Sequence, residues 1–185
     1  MKRIIFSFLC LFGAISLFAG NPVTVKSGDV SVLKENTTAL LELDFSATRV
    51  GNQSIDEYLK SRGDDFVKDF PEDKTQAADM FAVQFNKKSK GINVAKDASN
   101  AVYKFVIHVS TLDYGNAGSA FVPFASAKAG GCIIKGTIDI INLKTNQTVC
   151  TIDIDDVKGL GHMSDRVRLR LVFFELANKI AKIKK

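Results

Sequence analysis

The sequence predicts an α+β domain in which helices pack on one face of a mostly antiparallel sheet, with a long helix near the C-terminal end. Two segments between residues 54 and 91 repeat their apolar side chains at helical spacing, whereas from Ile92 onward apolar and polar residues alternate with a period of two. A last segment after Ser164 returns to the helical period. This order of elements is typical of a sheet that carries its helices on one side.

The segment over 1–20 has the layout of a secretory signal peptide. Lys2 and Arg3 come before an apolar run over 4–18, and the small residues Ala19 and Gly20 follow it. The run is shorter than a membrane span, and a polar segment follows it. We therefore expect cleavage near Ala19 or Gly20 and an exported protein, located in the periplasm or outside the cell.

The composition fits an ordinary globular domain. Hydrophobic residues make up 46% of the chain, with 14 Phe and no Trp, which excludes a disordered polar chain. Without Lys2 and Arg3, the formal net charge of +5 falls to +3, since 23 basic residues then face 20 acidic ones. This mild charge argues against nucleic acid as a partner. We predict a polar leader over 21–37 and a single domain over 38–185.

The first elements of the predicted domain are a strand and a short helix. Thr38 to Ala47 alternates apolar and polar side chains, as a half-buried strand does. After a polar turn, Ser54 and Glu57 form a capping box that opens a helix through Lys60, and Gly63 stops this helix.

A second helix is predicted from Pro71 to Gly91. Proline suits a first helical turn, acidic residues lie near the positive end of the helix, and apolar residues recur at helical spacing up to Phe85. Two strands follow, a short one around 92–94 and a strong one over 102–110, whose apolar residues alternate with polar ones.

Residues 133–142 and 148–156 are predicted to form a hairpin that turns near Thr145, with one apolar and one polar face. In this register Cys150 lies opposite Ile140, and Cys132 lies about eight residues further along the ladder. At about 3.4 Å per residue the two cysteines are more than about 20 Å apart, whereas a disulfide needs Cα atoms within about 7 Å. We therefore predict two buried, reduced cysteines.

The final helix is predicted from Ser164 to about Lys184, with a broad apolar stripe and many basic residues, which are Arg166, Arg168, Arg170, Lys179, Lys182, Lys184 and Lys185. Two interpretations are open. The helix lies on an anionic lipid surface, or it is the main core helix with a solvated basic face.

Three stretches of the chain resemble a class of small bacterial envelope domains. They are Ala39-Leu-Leu-Glu-Leu-Asp-Phe45, Val102-Tyr-Lys-Phe-Val-Ile-His108 and Ile138-Asp-Ile-Ile-Asn-Leu-Lys-Thr-Asn-Gln-Thr-Val149. The last stretch is similar to a strand, Asp-x-x-Thr-Gly turn, strand signature, although Asn stands where the class more often has Asp and Gly. The class includes the amino-terminal domain of TolB and the curli-secretion-like lipoprotein domain. The resemblance implies a non-enzymatic role in envelope assembly or interaction and defines no functional residue.

The two histidines, His108 and His162, are expected to be a half-exposed strand residue and a loop residue. A metal site or an acid–base pair would need them close together, with a third ligand or an orienting carboxylate. Gly159-Leu-Gly161 lies before a helix but lacks the third glycine and the Lys-Ser/Thr of a phosphate-binding loop. We expect these glycines to give a flexible start to the last helix.

Four carboxylates cluster on the polar face of the predicted hairpin, namely Asp139, Asp153, Asp155 and Asp156. The spacing of a calcium-binding loop, with its glycine and terminal glutamate, is absent. We interpret the cluster as a solvated face balanced by Lys135 and Lys158, so no metal or cofactor is predicted.

The segment from Tyr114 to Gly131 is the most unusual part of the sequence, because it is rich in glycine and alanine and has Lys128 as its only charge. If it projects from the domain, Tyr114, Phe121 and Phe124 offer an apolar surface to a partner or ligand. The alternative is an edge strand whose small residues pack against a helix.

Together these observations predict a secreted or periplasmic binding or assembly module of the cell envelope that is not an enzyme. The expected partner is an envelope protein or a second copy of the chain, and contact with a membrane surface stays open. The alternative function is a small-ligand carrier with a pocket under the segment 114–131. No nucleophile, base and orienting group occur together in the sequence, which makes an enzyme the weakest hypothesis.

Overall fold

The computed structural model describes residues 21–115 and 130–183. In these ranges the chain forms a mixed sheet and a small hairpin beside it. The strands of the sheet, in spatial order, are β1 (Val23–Gly28), β8 (Gln147–Gly161), β7 (Gly131–Asn142), β6 (Tyr103–Asp113), β2 (Thr38–Asp44) and β5 (Asn93–Ala95), and the hairpin beside β6 is formed by β3 (Arg49–Val50) and β4 (Gln53–Ser54). Three helices accompany the sheet, so the predicted α+β fold is confirmed; they are α1 (Ile55–Arg62), α2 (Asp64–Lys88) and α3 (Asp165–Ile180). The predicted signal peptide lies outside the described residues.

The segment predicted as a polar leader contributes one edge of the sheet. Strand β1, Val23–Gly28, pairs antiparallel with β8. A 3-10 helix over Val30–Lys34 follows, capped by the Asp29 carboxylate, which accepts a hydrogen bond from the Ser31 backbone N–H at 2.9 Å. Val30 and Val32 are buried in the core, so this segment is part of the folded unit.

The next strand, β2, is Thr38–Asp44, and it pairs parallel with β5 (Asn93–Ala95) on one side and with β6 (Tyr103–Asp113) on the other. These parallel strands form one side of the sheet, and on the other side β6, β7, β8 and β1 pair antiparallel. The short strands β3 (Arg49–Val50) and β4 (Gln53–Ser54) lead into α1.

The predicted capping box of α1 is confirmed. This helix spans Ile55–Arg62, and Ser54 and Glu57 exchange hydrogen bonds at its start. Gly63 ends it with a φ of 112°, a conformation that glycine adopts without a Cβ clash.

Helix α2 spans Asp64–Lys88, so the predicted start at Pro71 is wrong. Asp64 and Asp65 occupy its first turn, where carboxylates stabilise the positive end of a helix. Pro71 lies inside the helix and removes one hydrogen bond to the carbonyl of Val67. Val67 is 42% exposed, so water can satisfy that carbonyl.

The predicted hairpin is formed by β7 (Gly131–Asn142) and β8 (Gln147–Gly161), and the predicted pairing of Ile140 with Cys150 is confirmed. Cys132 and Cys150 are both free and buried, as the register requires. Burial raises the pKa of both thiols.

Two β-bulges face each other across β7. On β6 the register shifts at Ser110, and on β8 two residues, Asp155 and Asp156, lie opposite Lys135 alone. Asp156 has a φ of 51°, a left-handed conformation that bulges use. The bulge places two successive carboxylates on the same side of the strand.

Helix α3, Asp165–Ile180, packs across β7 and β8, while α2 packs against β2 and β5 and against α3. The two helices therefore cover one face of the sheet. Aromatic rings fill the interface: Phe85 contacts Phe105 at 6.0 Å between ring centroids, and Phe45 contacts Phe70 at 5.4 Å. Among the described helices, none is both long enough and apolar enough to cross a bilayer.

Gly159 allows the backbone of α3 to lie close to strand β8. A Cβ atom at this position would lie 2.6 Å from the backbone nitrogen of Val172, which is closer than real contacts allow. We predict that Gly159→Ala lowers the free energy of unfolding by about 1–3 kcal/mol, because the helix must move away from β8.

Urea denaturation of the two proteins measures this change. Lys158→Ala, at the exposed neighbouring position, is the matched control and should change the free energy of unfolding by less than about 0.5 kcal/mol. Equal stability of Gly159→Ala and the original protein would contradict the steric argument.

Candidate functional site

The uncovered face of the sheet carries paired charges rather than an apolar patch. The pairs are Lys104 with Glu42, Lys26 with Asp153 at 3.2 Å, Lys135 with Asp155 at 2.7 Å and His108 with Asp44 at 2.8 Å. The polar face predicted from the strand alternation is therefore the face that no helix covers.

His108 lies at the centre of this face between two carboxylates. Its Nδ1 atom is 2.8 Å from Asp44 Oδ2, and its Nε2 atom is 3.5 Å from Asp139 Oδ2. Asp139 is itself oriented by the Thr151 hydroxyl, which donates a hydrogen bond at 2.7 Å. Gly136 lines a hollow of about 180 Å³ beside the imidazole.

The sequence does not reveal this arrangement, because the three residues come from three different strands. Asp44 meets His108 only through the parallel pairing of β2 with β6, and Asp139 comes from β7. His108 Nδ1 is hydrogen-bonded to Asp44 and Nε2 faces Asp139, so the ring is held between the two carboxylates.

Backbone contacts tune the acidity of Asp44. Its carboxylate accepts a hydrogen bond from the Ser46 backbone N–H at 2.9 Å, and this bond is the largest cause that lowers the pKa of Asp44 to about 2. The Ser46 side chain and His108 lower the pKa further. The ionised carboxylate therefore stabilises the folded state.

The acidic cluster on the hairpin is compensated by lysines. Lys135 Nζ lies 2.7 Å from Asp155 and 2.9 Å from Asp156, and these hydrogen bonds raise the pKa of Lys135. The predicted partner Lys135 is confirmed. Over 21–115 and 130–183, no group of three His, Cys, Asp or Glu side chains is arranged to hold a metal ion.

Arg168 connects the end of β6 to the start of α3, and only 1% of its surface is exposed. Its Nε atom donates to the Tyr114 carbonyl at 2.6 Å, and Nη1 donates to the His162 carbonyl at 2.5 Å. Its Nη2 atom pairs with Asp165, which also pairs with Arg62 at 2.9 Å. Each guanidinium nitrogen thus has a partner.

Of the predicted ligand-contacting residues, only Tyr114 is described. It is 7% exposed and its ring stacks on Tyr58, with 5.3 Å between the ring centroids. Burial raises the pKa of the Tyr114 hydroxyl. Phe121 and Phe124 lie outside the described residues, so the binding role predicted for this segment stays a prediction.

His162 and Gly159 have structural contacts. The Ser164 backbone N–H donates to His162 Nδ1 at 3.0 Å, and the Ser164 side chain, predicted to cap α3, makes no capping hydrogen bond. Gly159 lies against the α3 backbone, so its small size serves helix packing.

The three arginines in the first half of α3 are either ion-paired or buried. Arg166 pairs with Asp69 at 2.5 Å, Arg170 pairs with Asp73 at 3.3 Å, and Arg168 is buried. The solvated basic face expected for this helix is therefore neutralised over its first half, where α2 supplies the carboxylates.

A different set of cations is uncompensated. Lys34, Lys88 and Lys90 surround a cleft of about 190 Å³ between the 3-10 helix and the ends of α2 and α3. Its apolar lining is Leu33, Phe85, Ile180 and Ile183. We call these three lysines and this lining the lysine cleft. Within the described ranges, none of the three lysines has a carboxylate within 4.0 Å.

Sequence reasoning assigned Lys88 and Lys90 to the end of a helix and did not connect them with Lys34. The connection is made by Gly91, where a Cβ atom would lie 2.5 Å from the backbone of Lys34. This close approach brings the two chain segments together.

Comparison with known proteins gives no family. No protein-family model matches the chain, and no curated protein matches its sequence. The resemblance to the TolB amino-terminal domain and the curli-secretion-like lipoprotein domain therefore stays a prediction.

Among solved structures, the chain is similar to the PelC dodecamer from Paraburkholderia phytofirmans, with 13% identity, a TM-score of 0.43, and coverage of 84% of this chain and 96% of that one. It is also similar to a putative neuraminyllactose-binding hemagglutinin homolog from Helicobacter pylori, with 11% identity, a TM-score of 0.36, and coverage of 81% and 87%. At TM-scores below 0.5 these likenesses assign no family, function or assembly to this chain.

The low pKa of Asp44 predicts a pH dependence of stability. Because the folded-state pKa of about 2 lies below the ordinary value of 3.8, the stabilisation is present above pH 3.8 and is lost as the pH falls toward 2. We expect Asp44→Asn to remove about 1 kcal/mol of stability at neutral pH, given that the carboxylate is partly solvated. Chemical denaturation at neutral pH and at pH 2 measures both values.

At pH 2 the original protein and Asp44→Asn should differ less than at neutral pH. Asp97→Asn, at an exposed position outside the helices, is the control and should leave the pH profile unchanged. An unchanged profile for Asp44→Asn would show that the Ser46 and His108 contacts do not stabilise the fold.

Arg168→Gln should destabilise the protein by about 3–5 kcal/mol, because it removes a buried cation, leaves the Tyr114 and His162 carbonyls without their donor and leaves Asp165 with Arg62 alone. Arg166→Gln, at a partly exposed ion pair, should cost less than about 1 kcal/mol. Thermal unfolding of the two variants compares them directly, and similar losses would contradict the central role of Arg168.

Proposed function

We propose that this protein is a non-enzymatic, exported module of the bacterial cell envelope that docks on an anionic membrane surface through the lysine cleft. The observation that carries the proposal is the meeting of three uncompensated lysines around an apolar lining at one end of the molecule.

In the described part of the chain, three lysines without ion pairs meet at this end of the molecule. On the open face of the sheet, by contrast, Lys26, Lys104 and Lys135 are paired with carboxylates. Lys34, Lys88 and Lys90 have no such partner in the ranges 21–115 and 130–183. Other described lysines, such as Lys68 and Lys74, also have no ion pair, so the distinguishing feature of this end is that three unpaired lysines surround one apolar cleft.

The size and lining of the cleft favour a membrane surface over an enclosed small molecule. Small-molecule sites commonly measure about 300–1,000 Å³, whereas this cleft measures about 190 Å³. Lysines can keep their ammonium groups at lipid phosphates while their stems and the half-buried Leu33 and Ile183 contact the acyl boundary. Each lysine near an anionic surface contributes about 1 kcal/mol.

Three observations support a role without catalysis. Each ring nitrogen of His108 faces a carboxylate. Among the described contacts, neither nitrogen is directed at a hydroxyl or thiol that it could activate as a nucleophile. His162 Nδ1 accepts a backbone hydrogen bond. The thiols of Cys132 and Cys150 are buried with raised pKa values, which keeps them protonated and unreactive.

Vesicle binding tests the proposal. The protein is mixed with vesicles of phosphatidylcholine alone or with phosphatidylglycerol added, and the bound fraction is measured by flotation. We expect binding only to the anionic vesicles, decreasing with added salt, and about a hundredfold weaker binding for the triple variant with Lys34→Gln, Lys88→Gln and Lys90→Gln.

The matched control removes the same charge elsewhere, through Lys60→Gln, Lys68→Gln and Lys144→Gln, which are exposed positions outside the cleft. This control should bind nearly as the original protein does. Equal loss in both triple variants would indicate a general charge effect and contradict docking through the lysine cleft.

A further inference from the structure

One half of strand β2 has no neighbour on its outer side. The pairing of β2 with β5 ends at Leu40 and Ala95, whereas the pairing with β6 continues to Asp44 and His108. Among the described residues, no strand pairs with Leu41–Asp44 on the β5 side.

The chain connection explains why β5 is short. Ala39 pairs with Val94 on one side and with Tyr103 on the other, so β5 and β6 begin at nearly the same level of β2. Both strands run parallel to β2. The chain must therefore turn back after Ala95 and cross in front of the N-terminal end of β2 before β6 begins. The Val102 N–H donates to the Thr38 carbonyl at 2.9 Å at this crossing.

The direction of the free backbone groups follows from the ladder. The Thr38 carbonyl accepts a hydrogen bond from the β6 side, and the Thr37 carbonyl accepts one from Asn93 on the β5 side at 2.9 Å. Successive residues of a strand direct their N–H and carbonyl groups to opposite sides. The odd-numbered residue Leu43 therefore directs both of its groups outward, beyond the end of β5.

A groove runs beside these free groups. Two adjoining hollows, of about 360 and 290 Å³, share Glu42, Leu43 and Lys74 in their walls. Pro71, Thr75 and Ala78 of α2 form the far wall of the first hollow, and Phe70 and Ile55 line the second. We call this feature the β2 edge groove.

The opposite edge of the sheet is protected in a way that this one is not. Strand β1 has a register shift at Lys26, and this lysine projects from the edge strand and pairs with Asp153. Bulges and charged residues are the usual means by which edge strands avoid added strands. The free part of β2 has a regular register with β6 and no proline, and its charged residues, Glu42 and Asp44, are already paired with Lys104 and His108 of β6.

We infer that the β2 edge groove binds an extended segment of a partner protein, which adds to the sheet as a strand beside Leu41–Asp44. The outward N–H and carbonyl of Leu43 supply the main-chain hydrogen bonds of this binding mode. Apolar side chains of the segment face Ala78 and Phe70, and an acidic side chain faces Lys74. Lys74 lies 5.4 Å from the Phe70 ring centroid, and in the described ranges it has no carboxylate partner.

The probe is a blocked seven-residue peptide, Thr-Val-Thr-Glu-Thr-Val-Thr, whose Val and Glu side chains lie on one face of a strand. It is titrated into ¹⁵N-labelled protein of residues 21–185. We expect chemical-shift changes confined to residues 41–46 and the facing turns of α2, with slower exchange of the Leu43 amide. The same peptide with methylated valine nitrogens keeps the side chains but loses N–H donors, and it should bind at least about tenfold more weakly. Equal binding of the two peptides would overturn the inference.

Two variants locate the interaction on the protein. Leu43→Pro removes the outward N–H but leaves the bonds of Glu42 and Asp44 to β6, and it should weaken binding at least about tenfold. Leu43→Ala, which keeps the N–H, is its matched control and should retain most of the binding. Equal affinities of these two variants would contradict strand addition.

If Leu43→Pro does not fold, a charge exchange at Lys74 tests the same interaction. Lys74→Glu should weaken binding of the Glu peptide and strengthen binding of the same peptide carrying Lys in place of Glu. Unchanged affinities for both peptides would overturn the inference.

A dimer of the protein alone that protects the amides of residues 41–45 would also overturn the inference, because a second copy would then cover the groove. Vesicle binding by Leu43→Pro and Lys74→Glu should stay unchanged, which separates this test from that of the lysine cleft.

Discussion

Phe81, Phe85, Phe105 and Phe173 lie between the sheet and the helices, each with less than 2% of its surface exposed. Burial of such a side chain contributes about 1.5–3 kcal/mol, so the covering of one sheet face by α2 and α3 is the interaction on which the rest of the structure depends. A sheet whose strands alternate apolar and polar side chains has only one apolar face to bury. The charged side chains of the other face must then pair with one another or with water.

The pairing of charges follows from this arrangement. On the open face, carboxylates meet lysines and His108 across neighbouring strands, and between α2 and α3 the aspartates meet arginines. Arg168 is the extreme case, because a fully buried guanidinium is tolerated only when its donors are satisfied. The lysines around the cleft at the helix ends have no carboxylates within reach, so this end becomes positive.

The two proposed surfaces lie at opposite ends of β2. The lysine cleft includes Leu33 and Lys34, shortly before the strand begins, and the β2 edge groove lies beside Leu43, near its end. A molecule held on a membrane by its lysine cleft therefore keeps the groove away from the bilayer. The arrangement suits a module that presents a bound protein segment at the envelope surface.

The sequence by itself determined the α+β class, the pairing of Ile140 with Cys150, the free cysteines and the capping box of α1, because each depends on neighbours close in the chain or on strict alternation. Only the tertiary structure decided that β2 is parallel to β6, that α2 continues through Pro71, and that Asp44 meets His108. These features depend on residues far apart in the chain. Local patterns specify which face of an element is apolar, but packing of whole elements decides which partners meet on it.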